Sequence, residues 1–376
     1  MIYLDYSATT KPNEDVLSSF FKASQDYFSN ANSLHKLGIN SNRLINSSTE
    51  QIATLLNVKP SEIIYTSGAS ESNNTAIKGI AFKYKNRGKH IITTKFEHSS
   101  IYGPLKFLEE YEGFIIDYVD TDEYGRVTID SLKNLIRDDT ILVSICSVNS
   151  EIGIREPVEE IGQFLKDYPK CFFHVDITQS VGKDKVDLTN IDLASFSAHK
   201  IYGVKGIGCL IKKENIIIEP LIHGGKSTTS FRSGTPPLPL IVSLAKALRL
   251  SLASFDEKIK KVKELNIYLK EKLSKYDNVS INSNLYSIPH IININISSIK
   301  PETMQHALEE YDIYVSTKTA CAKESDISQA VYALTKSEEK AKTSIRISIS
   351  HITTKEEIDE FIKCFDECYN KLLLKK

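Results

Sequence analysis

Between residues 62 and 213, short apolar stretches alternate with stretches of helical periodicity, and several of the short ones have no polar side. KHIITT, GFIIDYVD, TILVSICSVN, CFFHVD, DLASFS and GIGCLIKK are strand-sized. ASESNNTAIKGIAFKYKNRG, SSIYGPLKFLEEYEG, DSLKNLIRDD and EPVEEIGQFLKDYP read as the helices between them, Pro157 standing at a plausible first turn. A strand that is apolar on both faces must be covered on both faces. The alternation therefore predicts an α/β fold, a mainly parallel sheet with helices on either side. Such sheets place ligands beyond the carboxyl ends of their strands.

After residue 237 the pattern changes. Residues 238–276, with Pro239 in the first turn and no Gly or Pro after it, read as one long helix, or as two with a bend. PHIININIS and SIRISIS then mix with the helical PETMQHALEEYD and TKEEIDEFIKCFDECYNKLL, which suits a smaller α+β unit. The expected division is a large domain over 15–250 and a small one over 251–376, with 1–14 packing near the small one. The longest apolar runs, such as TILVSIC and ENIIIEPLI, are strand-sized, so no membrane span is expected. MIYLDYSATT lacks the basic and apolar regions of a secretion signal, so the expected location is the cytoplasm. A net charge of -1 gives no sign of a nucleic-acid or acidic-membrane partner. Six scattered cysteines without a CxxC suit a reducing compartment; Cys364 and Cys368 share a helix face and read as packing, and no metal set is apparent.

Several reactive side chains fall at predicted strand ends. Asp176 closes CFFHVD, His199 and Lys200 follow DLASFS, and Asn149 follows TILVSICSV. A parallel sheet gathers such ends at one crevice. A lysine there suits imine chemistry, because partial burial beside cations favours the neutral, nucleophilic amine. On spacing alone Lys200 reads first as an ordinary loop lysine, and Asp176 as a helix cap. In a pyridoxal site, Asp176 would keep a pyridine nitrogen protonated, Gln179 would donate to the ring oxygen, and His98 would pack on the ring. The turn SGASESNN opens a helix and suits a phosphate, although such turns also serve as plain caps. Arg346 could clamp a carboxylate or pair with a structural acid. Cys321 lies among small and polar residues with Lys318 and Lys323 nearby, a setting for either a reactive thiol or an unremarkable one.

The segments YLDYSATT, SLHKLG, TSGASESNN, FEH, VNSEIG, HVDITQSVG, SFSAHKIYGVKGIG, FRSGT, TACA and SIRISIS occur in that order. Together they resemble the NifS-like cysteine desulfurases, a group of the class V aminotransferases, which are fold-type I enzymes dependent on pyridoxal 5′-phosphate (PLP). The resemblance implies a large domain with a mainly parallel seven-stranded sheet. It implies that Lys200 carries the cofactor and moves the substrate proton, that His98 stacks on the ring, and that Asp176 and Gln179 meet the ring nitrogen and oxygen. Ala69, Ser70, Ser197 and His199 would hold the phosphate. Thr235 would reach the phosphate of the partner subunit in a homodimer. Asn149 and Arg346 would hold the carboxylate of L-cysteine, and Cys321 would receive the sulfur before an acceptor protein takes it.

The chain departs from the family pattern in places. Lys318 stands where the loop before the reactive cysteine carries glycine; HGGKSTTSFRSGT lacks a Gln-Glu pair; Ser147, Ser350 and Ser70 replace other residues. The short stretch after the last helix implies a specialised member, whose acceptor is a tRNA-thiolation enzyme, an iron–sulfur scaffold or a pathway of its own. The competing readings are another class V activity, such as selenocysteine lyase, C–S lyase or aminotransferase, and a degenerate, non-catalytic paralog.

Overall fold

The apolar runs pair edge to edge because most are buried on both faces and have only their backbone left to satisfy; the edge run at Ile115–Tyr118 is partly exposed. A computed structural model of the chain describes residues 1–317 and 327–374. Leaving aside β1 (Ile2–Tyr3), the first strands are β2 (Ile63–Thr66), β3 (His90–Thr93), β4 (Ile115–Tyr118), β5 (Thr140–Cys146), β6 (Phe172–Asp176), β7 (Leu193–Ser197) and β8 (Gly208–Lys212). They form one seven-stranded sheet in the order β2-β8-β7-β6-β5-β3-β4. The pairs from β7 to β4 are parallel, as expected, while β8 runs antiparallel to both β7 and β2. Successive residues alternate between two core layers. Ile92, Val143, Ala194 and Ile211 enter one; Ile91, Leu142, Leu193 and Leu210 enter the other.

Helices α1 (Glu14–Asp26), α2 (Lys36–Leu56), α3 (Ala69–Tyr84) and α4 (Ser99–Glu112) flank the sheet. Ile77 and Ile80 of α3 pack with Ile101 and Leu105 of α4 in the second layer, whereas Ile45 and Ile52 of α2 join the first. The run ENIIIEPLI is not a strand. Ile216 and Ile218 plug into the second layer from a loop, and Ile217 between them is half exposed. The helical stretch after residue 237 is two helices, Leu238–Leu252 and Phe255–Leu273, bent by 66°. Ala253 is extended and Ser254 left-handed at φ 51°, which ends one helix and redirects the chain. No single helix among the described residues is long and apolar enough to cross a membrane.

A third core lies around a smaller antiparallel sheet, in which β10 (Ile291–Ile296) is flanked by β9 (Val279–Ile281) and β12 (Ser344–Ser348). Its residues run from Val262 to Tyr369, include Cys364 and Cys368, and take in Leu4 from the N-terminus. That first segment is tied by backbone pairing. β1 lies parallel to β11 (Ile313–Tyr314), with Ile2 opposite Ile313, and Asp5 bridges to Ser348. The segment then crosses to the large sheet, where Thr10 N–H donates to the His199 carbonyl at 2.9 Å.

Gly208 starts β8 beside the turn that opens α3. A Cβ there would lie 2.6 Å from the Gly68 backbone. Gly208→Ala is therefore expected to displace that turn, costing about 1–3 kcal/mol in urea unfolding. Unchanged unfolding in this variant would show that the turn yields freely.

Candidate active site

A cavity of about 450 Å³ opens at the carboxyl ends of the parallel strands. β5, β6 and β7 end at Cys146, Asp176 and Ser197, all of which reach its wall. Ala69, Ser70, His98 and Gln179 line it as well, together with His199, Lys200 and Arg346. Nine of the twelve side chains singled out in the sequence thus meet in one space.

Two others lie elsewhere, and the position of the third is not described. Asn149 is buried behind the wall, where its Oδ1 accepts from the N–H groups of Glu151 and Ile152, both at 2.8 Å. Its Nδ2 donates to the Phe96 carbonyl at 2.7 Å, so in this structure it shapes a loop and does not face the cavity. Thr235 is exposed and does not line the cavity of its own chain. Cys321, with Lys318 and Lys323, lies outside the described residues.

The amine of Lys200 donates to the carbonyls of Ser7 at 2.6 Å and Ala8 at 2.7 Å. Those acceptors belong to the N-terminal crossing segment, and no side-chain pattern marks a residue that contributes only a carbonyl. Across the cavity, Asp176 Oδ2 accepts from Asn73 Nδ2 and its Oδ1 from the Thr178 N–H, each at 2.9 Å. The Asn73 amide also donates to Ser100 Oγ at 2.9 Å. Ser100 Oγ lies 2.8 Å from His98 Nδ1, and His98 caps α4 by accepting from the Ser100 N–H. One buried amide thus joins the carboxylate to the imidazole across two elements. Asn73 belongs to the SGASESNN stretch, in which nothing local marks it as a partner of Asp176. Burial holds His98 below its usual pKa, the Lys200 and Arg346 cations adding to this against Asp176.

At the other end, α3 begins with Gly68 as N-cap and has no side-chain cap. Its Ala69 N–H donates to Ser197 Oγ at 2.6 Å. Arg232 Nε donates to Glu71 Oε1 at 2.9 Å, and Glu71 Oε2 accepts from the Ser67 N–H at 2.7 Å. The retained part of FRSGT therefore braces this turn within its own chain. His199 is pushed down to about 4, by burial first and then by Lys200, Lys205 and Lys183. It is a neutral imidazole at pH 7, with Nδ1 3.1 Å from Thr9 Oγ1. Arg346 is almost fully buried. Its Nη2 donates to Asp5 Oδ1 at 2.7 Å and its Nη1 to the Ser150 carbonyl at 3.1 Å, while Nε has no hydrogen-bond partner.

The cavity thus has an anion end with an uncapped helix N-terminus, a fixed carboxylate, a neutral imidazole, a primary amine and a buried guanidinium. That donor set fits a phosphorylated pyridine aldehyde, and Ser7 Oγ at the wall is an orphaned polar atom of the kind such a ligand satisfies.

The class V aminotransferase model matches residues 2–361. This chain belongs to that family. Its members depend on PLP, and PLP is the cofactor here. A NifS/IcsS protein homolog of Lactobacillus delbrueckii subsp. bulgaricus is 43% identical, over 98% of this chain and 97% of that one. A cysteine desulfurase IscS of Dictyoglomus turgidum is 37% identical, over 99% and 95%. Among solved structures, a NifS-like protein superposes with a TM-score of 0.93 at 34% identity, over 98% of this chain and 99% of that one. A structure described as SspA in complex with cysteine matches with a TM-score of 0.83 at 32% identity, over 94% of this chain and 100% of that one.

Two carboxyls lie under the site. Glu97 and Glu156 are fully buried, each with one oxygen unpartnered, and burial pushes both up to about 8. The fold keeps these protons to about pH 8, whereas the unfolded chain releases them near the ordinary 4.5. Stability from these groups is therefore fully present below about pH 4.5 and falls as pH rises toward 8, by up to about 1.4 kcal/mol per pH unit per group. Glu97→Gln, which mimics the protonated acid, is expected to flatten that fall in urea unfolding between pH 5 and pH 8. An unchanged slope would mean that Glu97 is ionised in the fold.

Proposed function

We propose that the chain is a PLP-dependent cysteine desulfurase that converts L-cysteine to L-alanine and passes the sulfur, as a persulfide on Cys321, to an acceptor. The observation that carries this reading is the convergence of Lys200, His98, Asp176 and Arg346 on one cavity, in a chain whose relatives over nearly its full length are named cysteine desulfurases.

Ala69, Ser70, Ser197 and His199 would hold the phosphate of the cofactor at the start of α3. Asp176 would serve the ring nitrogen, Gln179 the ring oxygen and His98 the ring face. Once bound, PLP supplies an electron sink joined to the α-carbon of the substrate. Lys200 is the attachment point and then the base that takes the α-proton. The Ser7 and Ala8 carbonyls hold its amine in place while its bonding changes. Arg346 receives the substrate carboxylate; Asp5, on one of its nitrogens, keeps the guanidinium plane from turning. Asn149 supports that pocket by fixing the loop behind it. The Cys321 thiolate attacks the sulfur of the substrate. The C–S bond breaks with its electron pair left on the β-carbon, the sulfur stays on Cys321 as a persulfide, and protons delivered to the β-carbon and back to the α-carbon complete alanine. Two copies share the sites, Thr235 of each reaching the phosphate bound by the other. An acceptor protein then takes the sulfur.

Incubation of the PLP-loaded protein with L-cysteine is expected to yield alanine, and one extra sulfur on the peptide that holds Cys321. Cys321→Ala should retain PLP and lose desulfurase turnover. Alanine formed at the wild-type rate without Cys321 would point to a lyase or transaminase. Lys200→Ala should reduce turnover by about 10²–10⁴-fold, the usual share of a positioned acid–base group. Arg346→Lys, which cannot bond a carboxylate bidentately, should raise KM for L-cysteine by about tenfold or more in steady-state assays.

A further inference from the structure

Gln179 and Lys183 sit four residues apart in the tight turns that follow β6. The Ile177 carbonyl accepts from Ser180 and Val181, and the Ser180 carbonyl accepts from Lys183. Gly182 makes that turn possible at φ 71°. Both side chains are buried, Lys183 with 8% of its surface exposed. Lys183 Nζ donates to Gln179 Oε1 at 2.8 Å, and Gln179 Nε2 donates to the Ser7 carbonyl at 2.9 Å. That carbonyl is also an acceptor for Lys200, at 2.6 Å. A chain of hydrogen bonds therefore runs from Lys183 through Gln179 and Ser7 to Lys200.

An amide has two ends that differ only in hydrogen-bond sense. Rotated by half a turn, Gln179 would set its oxygen against the Ser7 carbonyl and turn an acceptor, not a donor, toward the cavity. A donor on Oε1 removes that alternative. Lys183 is an unusual choice for this task alone. The charged groups around it are Lys200 and Arg346, the buried His290 lies near it, and no carboxylate among the described residues is within ion-pair distance. The neighbouring Asp184 is committed to Arg155. Burial and the two cations push the Lys183 ammonium down to about 7. The neutral amine donates to Oε1 as the ammonium does, so the arrangement persists on either side of that value.

We propose that Lys183 is a positioning residue: by occupying Gln179 Oε1 it directs the Gln179 amide N–H groups toward the Ser7 carbonyl and the ring oxygen of PLP, and so tunes the lysine-bound cofactor. The proposal rests on PLP binding at Lys200 and needs no turnover to be tested. Removing the donor leaves the amide free to turn, and a turned amide no longer donates to the ring oxygen. That loss favours protonation of the chromophore.

The test is a pH titration of the visible absorption band of the PLP-loaded protein, without substrate. Lys183→Met is expected to bind PLP and to raise the midpoint by about one pH unit, a tenfold change in proton affinity. In a Gln179→Ala background the same substitution is expected to add almost nothing, because Lys183 acts through that amide. An unchanged midpoint in Lys183→Met overturns the proposal. So does an equal shift with and without Gln179, which would reduce Lys183 to a distant charge. Should Lys183→Met not fold, Lys183→Arg retains a donor and is expected to keep the wild-type midpoint; a shift there counts against the proposal equally. Failure of the wild type to make alanine would refute the desulfurase reading and leave this titration intact.

Discussion

An amine inside a protein needs acceptors, and those of Lys200 include two backbone carbonyls from the start of the chain, Ser7 and Ala8. This contact decides where the N-terminal segment must lie. The same few residues feed Leu4 into the core of the smaller sheet, pair Ile2 with Ile313, and hang Thr10 on the His199 carbonyl. The segment is thus a strap across the cavity, fastened at one end to the small sheet and at the other to the strand end that bears the lysine. Asp5, within it, holds Arg346. Lys200 and Arg346 are brought into register by one short stretch of backbone.

The parts of this arrangement differ in how far the sequence discloses them. Strands apolar throughout announce a sheet covered on both sides, and the residues that close them, Asp176, Ser197 and Lys200, announce the site. Direction is another matter. GIGCLIKK looks the same whether it runs with its neighbours or against them, so the antiparallel β8 could not be read from its residues. Residues 253 and 254 break a helix through backbone conformation alone, in Ala and Ser, which carry no punctuation. ENIIIEPLI has the composition of a strand but pairs with none, and seats Ile216 and Ile218 in a core layer from a loop.

In the site, side chains whose chemistry is their own were legible: the lysine, the carboxylate at a strand end, the imidazole, the arginine. Those that act by holding something else were not. Ser7 and Ala8 contribute carbonyls. Asn73 bridges Ser100 and Asp176 from distant parts of the chain. Asn149 is the converse, an amide expected to face the substrate whose described bonds all go to backbone groups behind the wall. The proximity of two positions separated by a hundred residues is a property of the fold, and no local pattern encodes it.

The strap has a temporal side. Ile2 leaves the ribosome long before its pairing partner Ile313, and Asp5 long before Ser348 opposite it. At roughly 5–20 residues per second that interval is tens of seconds. The large sheet can assemble in that time, since its last strand ends at Lys212. Ile2 and Asp5 therefore find their pairing partners only after the large sheet has had time to form, and the strap is fastened last at the end that meets the small sheet.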